Sequence, residues 1–301
     1  MLDYKGIHGL IKETIYGWIG DRAPRTGAAL AFYTVFSLAP ILIISIAIAG
    51  AVFGEKAARG EIVEQVRGLI GKEGAQAVQS MIEDAHRPGS GLISAIVGMA
   101  ALLIGATTFF VELKYGLDQI WGVPPEKTSG YWYFLRTRLL SFGLILAIGF
   151  LLVVSLVISA IVSALGDYWG FTAAGALLQG LNFILSFALI MALFASTYKV
   201  LPGVHIAWKD VWVGATITAL LFTIGKTLIG LYLGNSAIAS SYGAAGSLIL
   251  VLVWVYYSAQ IFLLGAEFTK FYAYRYGSRR HKTETRQILE AAGRNPTERR
   301  T

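Results

Sequence analysis

The sequence predicts an all-α, polytopic membrane protein with six transmembrane helices, an N-terminal interfacial helix and two short external amphipathic helices. Three observations lead there. Of the 301 residues, 55% are hydrophobic and 14% charged, whereas a soluble domain carries roughly 25% charged residues. The uncharged stretches Thr26–Gly54, Pro88–Val111, Leu139–Gly166, Tyr168–Tyr198 and Thr227–Ala266 each exceed the roughly 20 residues that carry a helix across hydrocarbon. Cations are divided unequally between alternate connecting segments, as the positive-inside bias requires.

Residues 1–27 read as a cytoplasmic interfacial helix. Ile7, Leu10, Ile11, Trp18 and Ile19 fall near one helical face, with Lys5 and Lys12 elsewhere. Lys12, Glu13, Asp21 and Arg22 interrupt any apolar core, so a cleavable signal peptide is not expected. The transmembrane domain, 28–272, holds spans at 28–52, 91–112, 138–164, 174–198, 211–233 and 246–272. The fifth crosses a single cation, Lys226, and Gly234-Asn235-Ser236 separates it from the sixth. Pro40 lies mid-way along the first span and should kink it, because proline leaves a carbonyl unpaired one turn back.

The external segment 54–90 carries two amphipathic patterns: Ile62, Val66, Leu69 and Ile70, then Val78, Met81, Ile82 and Ala85. They read as a packed cap or as a lid. Between the second and third spans, Trp121-Gly122-Val123-Pro124-Pro125 stops a helix, and Tyr131, Trp132, Tyr133 and Phe134 form an aromatic anchor. Residues 273–301 are a basic cytoplasmic tail.

An even number of spans puts both termini on one side. That side holds nineteen of the twenty-five lysines and arginines; the other holds Lys56, Arg59, Arg67, Lys72 and Arg87, offset by six acids. Both termini are therefore expected in the cytoplasm of a multi-pass protein. Anionic lipid headgroups account for the basic tail without a nucleic-acid partner.

Catalytic chemistry finds no footing. There is no cysteine, so disulfides, thiolate metal sites and a cysteine nucleophile are excluded, and His8, His86, His205 and His281 show no metal-ligand spacing. No nucleophile elbow, phosphate-binding lysine loop or zincin motif is present. No enzyme activity, cofactor or metal is expected.

Polar residues at membrane depth are the informative ones, since each must be paired or solvated there. Lys226 sits within the fifth span, with Ala215, Ala219 and Gly230 on its face. Gln179, Asn182 and Ser186 share one face of the fourth span at offsets of three and seven. These four read as a recess for an anionic substrate group, or as a snorkelling lysine beside interhelical hydrogen bonds. Nearer the cytoplasm, Glu112, Gln260 and Glu267 with Arg136 and Arg138 read as structural helix-end pairs, or as a gate that works with the Pro40 kink.

Ala29-Leu30-Ala31-Phe32-Tyr33-Thr34-Val35-Phe36-Ser37-Leu38-Ala39-Pro40, Ile120-Trp121-Gly122-Val123, Gly225-Lys226, Tyr242-Gly243-Ala244-Ala245-Gly246-Ser247 and Gly265-Ala266-Glu267-Phe268 together resemble the YihY/BrkB family. The likeness runs from about Trp18 to Tyr274. It implies a six-helix protein of the bacterial inner membrane. Family members carry ribonuclease BN, virulence, serum-resistance and lipid- or solute-moving labels; the ribonuclease label does not fit the residues present.

The expected function is an integral membrane transporter, an exporter or flippase-like protein for an anionic lipid or solute. The alternative is a non-transporting membrane scaffold or envelope-integrity protein. Expected partners are membrane lipids and the anionic lipid or small-molecule substrate; a homo-oligomer is compatible with the sequence.

Overall fold

A computed structural model describes residues 4–60, 92–124, 172–234 and 246–280, with scattered positions between 62 and 83 and between 131 and 150. Six long helices organise it: α1 (Tyr4–Gly20), α2 (Ala23–Phe53), α3 (Leu92–Ile120), α4 (Thr172–Val200), α5 (Trp208–Gly234) and α6 (Gly246–Arg275). Every regular element among the described residues is helical. Phe183–Val200, Trp208–Gly230 and Leu248–Arg275 are long and apolar enough to cross a membrane. Ala23–Leu38 with Ile41–Ile48 makes a fourth if the bent pair is one span. Most of the expected third span, 138–164, and the external patterns beyond Ile62 lie outside the described residues.

The chain direction alternates in register with the connections. Gln119 donates to the Asp21 carbonyl (2.7 Å), Lys114 to the Leu201 carbonyl (3.0 Å), and Ser278 to Asp210. The α1–α2 turn, the ends of α3, α4 and α6 and the start of α5 therefore share one end of the bundle, here the proximal end. α2 and α5 run away from it; α3, α4 and α6 run toward it. Helix α6 packs against α1, α2, α3 and α5, and α4 packs against α5.

Helix α1 differs from the expected single apolar face. Leu10, Thr14 and Gly17 turn inward along the last turns of α6, while Ile7, Ile11, Ile15 and Ile19 stay exposed. Two ion pairs fix the docking, Arg275–Glu13 at 3.0 Å and Lys270–Asp21 at 2.8 Å. The faces divide because Gly6, Gly9 and Gly17 let the α6 side chains Tyr276, Arg275 and Phe271 approach closely. Arg22 in the tight turn to α2 adopts φ 55°, ψ 35°, the left-handed conformation that reverses the chain between two helices.

Helix α2 bends by 52° between Ala23–Leu38 and Ile41–Ile48, around Pro40, whose side chain lies outside the described residues. The missing amide at that position accounts for the bend. Beyond α2, the chain folds back so that Ile62 packs against Leu42, Ile46 and Val251 at the distal end.

The α5–α6 crossing is built from reciprocal small residues. A Cβ on Gly214 would lie 2.8 Å from the Thr269 Cβ, and one on Gly265 would lie 2.6 Å from the Tyr198 Oη and 2.9 Å from the Thr218 Cβ. Thr218 and Thr269 bond back to the carbonyls of Gly214 and Gly265, at 2.8 and 2.7 Å. Each helix thus offers a Gly-x-x-x-Thr pair to the antiparallel pair on the other, the small-residue contact that holds helices together in lipid. Tyr198 closes the junction, donating to the Phe262 carbonyl at 2.7 Å.

Candidate functional site

At the proximal end three helices converge on a charged cluster. Lys270 donates to Asp21 Oδ2 at 2.8 Å and to Glu267 Oε2 at 3.2 Å. Glu267 is 0% exposed, and its second oxygen, Oε1, has no hydrogen-bond partner among the described residues. One ammonium thus faces two carboxylates, and the deeper of the two is half-satisfied. The Trp18 indole N–H, from the inward side of α1, is also buried and has no partner among the described residues.

Two turns farther along α6, on the same face, Gln260 points at α2. Both atoms of its amide are buried without a partner among the described residues, and a Cβ on Gly27 would overlap it. From Gly27 a run of small polar residues continues along one face of α2: Thr34, Ser37 and Ser45, all buried. Thr34 bonds back to the Leu30 carbonyl at 2.7 Å, and Ser37 accepts from the Phe109 N–H of α3 at 3.3 Å. The Ser45 hydroxyl has no partner among the described residues. Glu267, Gln260, Thr34, Ser37 and Ser45 therefore form a polar column along α2 and α6. Unpaired amides and carboxylates are expensive in lipid, and in spanning helices they mark the places that water, ions or substrate reach.

Of the residues expected to form a gate, Gln260 and Glu267 meet in this column. The arginines lie elsewhere. Arg138 donates to the Ile104 carbonyl at 3.1 Å and to the Thr107 hydroxyl, two turns along α3 from Glu112. Arg136 is exposed, and Glu112 is half-buried with no partner among the described residues. The cations that do meet acids at this end are Lys270, Arg275 and, on α3, Lys114. Lys114 pairs with Asp118 at 2.9 Å with both side chains buried, and Asp118 also accepts from the Gly203 N–H at 2.6 Å. That pair ties α3 to the turn between α4 and α5.

Of the residues expected to bind substrate, Lys226 is half-buried on α5, with no hydrogen bond or ion pair among the described residues. Ala215 and Ala219 on its face are fully buried, whereas a Cβ on Gly230 would touch nothing among the described residues. The packing around this face therefore opens toward the distal end. Ser186 on α4 is exposed, and the side chains of Gln179 and Asn182 lie outside the described residues.

Sequence reasoning singled out Gln260 and Glu267 as aligned on the sixth span, but missed Lys270 and Asp21 as the charged groups that meet Glu267. Lys270, three residues after Glu267, offered the one local signal. Asp21 reaches the site only because α1 docks on α6.

A family model described as "Virulence factor BrkB" matches residues 14–289. A UPF0761 membrane protein of Verminephrobacter eiseniae is 28% identical over 262 residues, 83% of this chain and 59% of its own length. One from Teredinibacter turnerae is 28% identical over 289 residues, 91% of this chain and 64% of its own. A third, from Tolumonas auensis, is 29% identical over 175 residues, 58% and 56% respectively. The chain spans about three fifths of the length of these relatives. No solved structure matches it.

Proposed function

Starting from the chain's membership of the BrkB family of membrane proteins, we propose that it is a transporter, exporting or flipping an anionic lipid or solute. One observation carries this reading: the column of buried, incompletely paired polar groups running from Glu267 through Gln260 to Ser45. A purely structural bundle has no need of a two-sided unpaired amide in its core, whereas a path for a polar headgroup or solute does. In this reading the chain spans the bacterial inner membrane six times with both termini in the cytoplasm, so the proximal end is cytoplasmic. The Asp21–Lys270–Glu267 cluster closes the path there, and the bend around Pro40 lets the distal half of α2 move relative to the proximal half.

Lys226, with Gln179, Asn182 and Ser186, supplies the anion contact in the distal half. Its half-buried ammonium, without a partner among the described residues and on a face that opens there at Gly230, supports that role. The test is lipid scrambling and solute flux in proteoliposomes. Wild-type protein should accelerate movement of an anionic lipid or solute over empty vesicles. A folded Lys226→Ala protein should lose about tenfold or more of that rate, the scale of one lost charge-assisted contact. Wild-type vesicles no faster than empty ones would remove the transport reading; a fully active Lys226→Ala protein would remove Lys226 from the site.

A further inference from the structure

We propose that Glu267 is a proton-binding site, loaded from the proximal end. Its carboxylate is fully buried; one oxygen shares Lys270 with Asp21, and the other is aimed at no donor among the described residues. Two acids facing one ammonium leave a net negative charge, and the copy of that charge with no water around it is the one on Glu267. A proton on Oε1 removes it. The step is a simple transfer: a hydronium at the proximal end gives its proton to Glu267 Oε1 and leaves as water, and the carboxylate becomes a neutral acid.

The neutral acid no longer holds Lys270 by charge, and Lys270 keeps Asp21 as its partner. The Glu267 side chain is then free to turn its new O–H toward Gln260, whose amide oxygen, two turns deeper, has no partner among the described residues. Protonation is thereby linked to release of Glu267 from the Lys270–Asp21 pair.

Of the other charged groups on the elements around α6, Glu112 of α3 and Lys226 of α5 stand without a partner among the described residues, and neither acts on Glu267. Glu13 of α1 pairs with Arg275. Lys114 and Asp118 of α3 pair with each other. Asp210 of α5 accepts from the Ser278 N–H and hydroxyl at 3.0 and 2.6 Å. Tyr198 of α4 donates to a carbonyl. Arg22 and Arg25, at the start of α2, are exposed. Asp21 and Lys270 are the charged groups acting on Glu267.

Use of this proton as a coupling ion rests on the transport reading; its existence does not. Infrared difference spectroscopy on the full chain in phosphatidylglycerol-containing vesicles reads it without any substrate gradient. The expected result is a carbonyl band of a neutral carboxylic acid that changes with pH, shifts in heavy water, and is missing from Glu267→Gln. If Glu267→Gln does not fold, Glu267→Asp should move the band in frequency. A band unchanged by both substitutions, or no titrating acid band at all, overturns the assignment. The band with no transport in the vesicles counts against the transport reading alone.

Discussion

Replacing Asp118 by alanine should destabilise the protein by about 3–5 kcal/mol, the cost of leaving one member of a buried ion pair uncompensated. Lys114 and Asp118 are both buried, 2.9 Å apart, at the end of α3. Lys114 also donates to the Leu201 carbonyl, and Asp118 accepts from Gly203 N–H. Removing the carboxylate therefore strands an ammonium and an amide together and unties α3 from the α4–α5 turn. Thermal unfolding in detergent, followed by loss of monodisperse protein, measures it. The double variant Lys114→Met with Asp118→Leu should recover much of the loss, because no charge then remains to be compensated. Equal instability of the single and double variants would mean that shape, not charge, holds this junction.

Gly265→Val should be comparably severe. A Cβ alone comes within 2.6 Å of the buried Tyr198 Oη and 2.9 Å of the Thr218 Cβ. Neither neighbour can give way cheaply. Tyr198 is held by its bond to the Phe262 carbonyl, and it packs against the rings of Phe194 and Phe262. Overpacking of this kind costs about 1–3 kcal/mol, and more where the neighbours are fixed. Helices α5 and α6 should separate, lowering the yield of folded protein. Relief by the second-site change Thr218→Ala, or more fully Thr218→Gly, would locate the clash at the crossing. No loss of stability would contradict the close approach of the two helices.

How far the sequence reveals this molecule depends on how local each signal is. The long apolar helices, and the bend around Pro40, follow from residues adjacent in the chain, and they were legible. Gln260 and Glu267 were legible too, because a spacing of seven places two polar residues on one face of an apolar helix. The cluster around Glu267 was not. Asp21 lies 249 residues from Lys270, and only tertiary docking of α1 joins them. The inward and outward faces of α1 are both apolar, so periodicity alone could not divide Leu10 from Ile7 and Ile11. The Lys114–Asp118 pair has local i,i+4 spacing, yet read as one more cation on the basic side, since burial cannot be seen in a pattern of charges. The reciprocal Gly-x-x-x-Thr pairs needed the relative register of α5 and α6, a property of the packed bundle.

The family resemblance and the structure bear on different questions. Resemblance gives membership and a membrane setting. The proposed path comes from the polar groups of α2 and α6 and from the cluster that closes them at one end. Lys226 belongs to the same proposal through its place on α5, where packing against α6 gives out.

The most direct measurement is the reactivity of single cysteines in membranes, for which the chain's lack of native cysteine is well suited. Gln260→Cys and Ser45→Cys should react with a small, charged thiol reagent at measurable rates. Phe262→Cys, on the opposite face of the same helix and packed against the rings of Phe194 and Tyr198, should stay inert. If all three are equally unreactive, water does not enter the space between α2 and α6, and the proposed path does not exist.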